Sequence, residues 1–141
     1  MAEAGKFKEL DVLLNKWKDT EAKTKKAFLR LKEFLERLPE VILSFKSRPG
    51  VSHSLRGTHK NQKDKSLFVM VDIIDDNPEN RWLSVCFYGD MIKDPDERGD
   101  FVPGGLLGED ACCFDIETWD EELLLYVEKR ISEAHEAASR G

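Results

Sequence analysis

The sequence predicts an α+β domain: a helical N-terminal region, a three- to five-stranded mainly antiparallel sheet, and a C-terminal amphipathic helix packed on that sheet. Three observations carry this. Phe7, Leu10, Leu14 and Trp17, then Leu31, Phe34, Leu35 and Leu38, recur at three- and four-residue spacing, the mark of an apolar helix stripe. From Val51 the period changes to two, with strand-like runs at 66–74 and 81–88. Trp119, Leu123, Val127, Ile131, Ala134 and Ala138 then restore helical spacing to the end of the chain.

Residues 1–47 read as the helical region, either one helix over 6–38 or two with a break near Asp19-Thr20. Pro39 ends the run, and a short helical piece is expected from Glu40 to Lys46, stopping before Arg48-Pro49-Gly50. The sheet is expected over 51–116. Its first strand places Val51, His53, Leu55, Gly57 and His59 on one face, with Ser52, Ser54, Arg56 and Thr58 on the other. Ser66–Ile74 is apolar on both faces, which predicts a central strand covered on both sides, by helices on opposite faces or by the long loop. Asp75–Asn80 is a turn by composition, and Arg81–Tyr88 is an antiparallel neighbour. Residues 89–110 read as a long acidic loop and Ala111–Ile116 as a fourth strand. Thr118-Trp119-Asp120-Glu121 matches a capping box opening a closing helix over 118–138.

The 141 residues suit one domain, 1–141. No apolar run reaches the roughly 20 residues of a membrane span. The N-terminus lacks the charged-then-apolar order of a secretory signal, so a cytoplasmic protein is expected. The three cysteines, an odd number without a Cys-x-x-Cys pair, do not read as a disulfide framework. Net charge is −6, unevenly placed. Residues 1–66 hold 16 Lys and Arg against 9 Asp and Glu, and the remainder 6 against 19. The division fits two halves that attract when packed, or an anion-binding face.

The segment 46–65 is the most suggestive for binding. Arg48, His53, Arg56, His59 and Lys60, among small hydroxyl residues and glycines, suit a phosphate or carboxylate. The partner class is an anion: phosphate, nucleic acid or acidic protein. The other reading is a basic edge strand, charged to prevent edge-to-edge association. An alternative function is divalent-metal handling by Asp90, Asp94, Asp96 and Asp100. The run 94–105 starts like an EF-hand loop, but Arg98 occupies the fifth place and Gly105 the twelfth. His53 and His59 stand roughly 20 Å apart along an extended strand and do not form a zinc site. The glycines of 103–108 lack a phosphate-loop ending. No cofactor is indicated, and a non-enzymatic binding domain is favoured over a small enzyme of unknown reaction.

The order long helix, Ser47-Arg48-Pro49-Gly50-Val51, short strands, an acidic Gly/Pro loop and a closing amphipathic helix resembles small bacterial domains, the YdhG-like proteins of unknown function and the YjbR-like group. The resemblance covers about Leu31 to Ala137. It implies an α/β sandwich around an antiparallel sheet, with iron handling suggested for the first group and DNA contact for the second. The helical region preceding the strands is longer here, and no site residue is carried over.

Overall fold

A computed structural model describes residues 7–141. Helices α1 (Lys8–Lys16) and α2 (Thr24–Arg37) precede strands β1 (Val41–Arg48), β2 (Ser52–His59), β3 (Val69–Ile74), β4 (Trp82–Tyr88), β5 (Asp100–Leu106) and β6 (Glu109–Ile116), and helix α3 (Glu121–Ser139) closes the chain. The strands form one antiparallel sheet of order β1-β2-β3-β4-β6-β5.

The helical region is two helices. Trp17 is extended after α1, and Asp19 Oδ1 accepts from the amides of Thr20 and Lys25 at 3.0 and 3.3 Å, which stabilises the break. Six strands replace the expected three to five because both edge strands lie in segments whose local composition points to helix or loop. The expected short helix, 40–46, at the end of the region 1–47, is instead β1. Val41, Leu43, Phe45 and Ser47 face inward while Ile42, Ser44, Lys46 and Arg48 face out. Its cause lies just beyond it. Pro49 and Gly50, the latter at φ 80°, form a turn closed by Val51 N–H to the Arg48 carbonyl at 2.9 Å, the residue pair a type II turn prefers. That turn sets all eight residues of β1 against β2.

The other edge, β5, occupies part of the expected loop 89–110. Pro103 is tolerated because an edge strand has one ladder without a partner. A bulge between Val102 and Leu106 absorbs Gly104 and Gly105. Leu107 and Gly108, both at positive φ, then turn the hairpin. Leu107 is a β-hostile choice at φ 52° and its side chain is exposed. Leu107→Asn is expected to raise stability by about 1 kcal/mol, read as a higher midpoint in chemical denaturation at unchanged slope.

All three helices lie on one face of the sheet. Leu10, Phe28, Leu31, Leu35, Val127 and Ile131 join Leu55, Val71, Ile73, Val85 and Phe114 in one core. The expectation of cover on both faces therefore fails for most of β3. Met70, Asp72 and Ile74, on its other face, are only half-buried. A second, small cluster of Leu67, Cys86, Tyr88, Leu106, Ala111 and Cys113 covers just one end of that face. Cys86 and Cys113, directly opposite each other in β4 and β6, are joined as a disulfide, a pairing that cysteine count alone did not suggest. The α3 cap is also displaced from the expected box. Asp120, at the N-cap, accepts from Leu123 N–H, while the Thr118 hydroxyl and Trp119 amide bond to the Ala22 carbonyl.

Two cations of residues 1–66, Arg30 and Lys65, pair with carboxylates of the acidic remainder. Arg30 of α2 bonds bidentately to Glu128 of α3 at 2.9 and 3.0 Å and reaches Glu121 at 3.0 Å. Lys65 lies 2.5 Å from Glu109 and over the Tyr88 ring. Planar guanidinium pairing of this kind fixes α2 against α3 in one orientation.

Candidate functional site

The sheet separates the five residues of the expected anion site. Arg48 and Arg56 lie on the face without helices. His53 and His59 point to the helical side and are each 4% exposed. Lys60 stands beyond the end of β2 and pairs with Glu40 at 3.6 Å. His59 accepts from the Asn61 amide and packs beside His135, whose ring faces the Pro39 carbonyl.

On the open face the register aligns Lys46, Ser54, Asp72, Ser84 and Asp115 in one row across β1, β2, β3, β4 and β6. Arg48 and Arg56 flank the basic end of that row and both act on Asp72. Arg56 Nε donates to Ser54 Oγ at 3.1 Å. Burial pushes the Asp72 carboxyl above its ordinary range, against the Ser54 hydrogen bond and the charges of Arg56 and Arg48. At the other end of the row, burial with Asp100 and Glu117 nearby also raises Asp115. The face is thus basic on β1–β2 and acidic on β5–β6.

Asp72 yields a pH prediction. Its folded-state pKa lies above the unfolded value, so it favours folding when protonated and that contribution is lost as pH rises through the folded value. Oδ1 is buried without a hydrogen-bond partner. Asp72→Asn is expected to stabilise the protein at pH 7 by about 1 kcal/mol. The gain should vanish below pH 3.8, the ordinary value for the group. Thermal denaturation at the two pH values checks this.

The four carboxylates of the metal reading do not converge. Asp94 is occupied: it accepts from the amides of Arg98 and Gly99 at 3.0 and 2.8 Å and from the Tyr126 hydroxyl. Burial opposes its ionisation, but these donors hold its carboxyl below the ordinary value. Asp90 is 3.7 Å from Lys65, Asp96 is exposed, and Asp100 lies in β5. Among the described residues no three His, Cys, Asp or Glu side chains are placed to hold a metal. A cleft of about 550 Å³ does open between this loop and the β5–β6 hairpin, with Asp94, Phe101 and Cys112 on its walls. Burial pushes the Cys112 thiol up, and Asp94 and Asp100 push it further, so it is a poor nucleophile at neutral pH.

A second polar constellation escaped the sequence reading. His53 Nδ1 is 2.5 Å from Ser47 Oγ and Nε2 is 2.7 Å from Asp75 Oδ2, while Arg81 Nε donates to Asp75 Oδ1 at 2.6 Å. The Phe45 ring stacks on the imidazole at 6.4 Å. Burial alone would raise Asp75, but the hydrogen bonds from His53 and Arg81 outweigh it and hold the carboxyl below its ordinary value. One signal was available. A tight turn at 48–51 makes Ser47 the cross-strand partner of His53.

No protein-family model, curated protein or solved structure matches this chain. Any functional reading therefore rests on its own residues.

Proposed function

We propose that the chain is a binding domain whose open sheet face docks an acidic segment of a partner protein on β1–β2. The observation that carries this reading is the placement of Lys46, Arg48 and Arg56 on a strand face that no helix covers among the described residues. Half-buried Met70 and Ile74 on the adjoining strand β3 supply apolar contact next to these cations, a mixture suited to recognition. The partner is short in its negative charge. A long polyanion laid across the strands would meet Asp115 and Asp100 on the same sheet, and the whole chain carries −6, which disfavours nucleic acid.

The test titrates a ten-residue glutamate-rich peptide and a single-stranded oligonucleotide into labelled protein by NMR at low and high salt. The expected result is peptide-induced shifts on Ser44, Lys46, Arg48, Ser54 and Arg56. These should weaken with salt and fall about ten-fold in affinity in K46E/R48E. Shifts elsewhere, none at low salt, or tighter oligonucleotide binding would overturn it.

A further inference from the structure

Ser47, His53 and Asp75 lie on the wall of a pocket of about 400 Å³ between α1 and the β1–β2 hairpin. Val12, Leu13 and Pro49 line it with apolar surface, and Lys8, Glu9 and Lys16 are also at its boundary. This pocket is separate from the open sheet face, because Ser47 and His53 point to the helical side.

We propose that Ser47 is a nucleophile, activated by His53 and oriented through Asp75, which attacks small esters with an apolar acyl group. Asp75 is an acceptor, so the imidazole proton lies on Nε2 and the Nδ1 lone pair faces the serine hydroxyl. The ring is threaded in the opposite sense from protease triads, yet each nitrogen has the partner its role requires. Arg81 occupies the far carboxylate oxygen and keeps Asp75 a fixed anion beneath the ring. Ser47 Oγ bonds to the ester carbonyl carbon as its proton moves to His53 Nδ1. The bond from the carbonyl carbon to the alkoxide then breaks and the alkoxide leaves with that proton. Water gives a proton to the same nitrogen and bonds to the acyl carbon, the bond from that carbon to Oγ breaks, and the proton returns to Oγ as the acid leaves. The apolar walls accommodate the acyl group, and because the cations of Lys8 and Lys16 are balanced by the carboxylates of Glu9 and Asp75, the pocket suits an uncharged ester.

Two features set this arrangement apart from polar side chains merely satisfied in a core. Ser47 is half-exposed, so its hydroxyl does not need a buried partner. The carboxylate–imidazole pair ends at that hydroxyl and beside a space able to hold a ligand.

The decisive experiment treats the folded protein with an alkyl fluorophosphonate, followed by intact-mass and peptide-level mass spectrometry. Attack by Ser47 Oγ on phosphorus forms the Oγ–P bond and expels fluoride, and the hydroxyl proton leaves through His53. The expected product is a single phosphonyl adduct on Ser47. It should be absent from Ser47→Ala and form about a hundred-fold more slowly in His53→Gln. p-Nitrophenyl butyrate hydrolysis should fall in parallel. Circular dichroism verifies that each variant is folded. Wild-type protein that gains no adduct, or labels on serines other than Ser47, overturns the proposal whatever the variants do. An adduct rate unchanged in folded His53→Gln also overturns it.

Discussion

Arg81→Met is expected to cost roughly 3–5 kcal/mol of folding stability, the loss typical when one partner of a buried ion pair is removed. The side chains of Arg81 and Asp75 are 11% and 8% exposed. Methionine fills much of the volume but leaves the carboxylate with His53 alone. A domain with a total stability of about 5–15 kcal/mol registers such a loss plainly in urea denaturation at pH 7. The pH dependence identifies the cause. The folded Asp75 pKa lies below the unfolded value, so the wild-type contribution is present above the ordinary value near 3.8 and is lost as pH falls through the folded value. The gap between wild type and variant should therefore narrow as the solution is acidified toward pH 3. Adding Asp75→Asn to the variant should recover part of the loss at pH 7, because it removes the stranded charge. An undiminished gap at low pH, or strict additivity in the double variant, would assign the effect to packing.

Phe28→Ala is expected to cost about 3–5 kcal/mol through lost burial and the cavity left behind. Phe28 is fully buried on α2, its ring 6.1 Å from that of Trp17, where the chain leaves α1. Its neighbour Leu29 is 40% exposed, and Leu29→Ala should change stability by less than about 0.5 kcal/mol. The contrast, measured by denaturant titration, tests that α2 packs by the face assigned to it. Equal losses at the two positions would mean that the helix is rotated.

The strands of the middle of the sheet were legible because their own residues declare them. Val69, Val71 and Ile73 are β-branched and alternate with less buried neighbours, and the Asp75–Asn80 turn has no helical use. Both edge strands were hidden for a common reason. Val41–Arg48 has few neighbours to pack against on one side, so its pattern of Leu43, Phe45 and Ser47 is short and partly polar, compatible with a helical turn. Asp100–Leu106 contains a proline and two glycines, which an edge ladder admits and a central one does not. What separates strand from loop there is the partner β6, an interaction remote from the local composition.

The residues of the expected anion site show the same limit. Alternation placed His53 and His59 on one strand face and Arg56 on the other, and that is how they stand. It did not tell which face the helices would cover. The histidines became interior groups, and the arginines kept the open surface. Ser47 is not legible in the sequence because its place beside His53 depends on the hairpin register, nor are Asp75 and Arg81, which come from just beyond β3 and just before β4.

By itself, then, the sequence determined an α+β chain with an antiparallel middle, a closing amphipathic helix and a basic half followed by an acidic one. Periodicity and charge are local properties that any partner must respect. The tertiary structure alone decided that three helices share one face, that Lys46, Arg48 and Arg56 lie on the other, and that Ser47, His53 and Asp75 meet beside a pocket. Those outcomes follow from register and layer assignment, which long-range packing selects from several arrangements that one period allows.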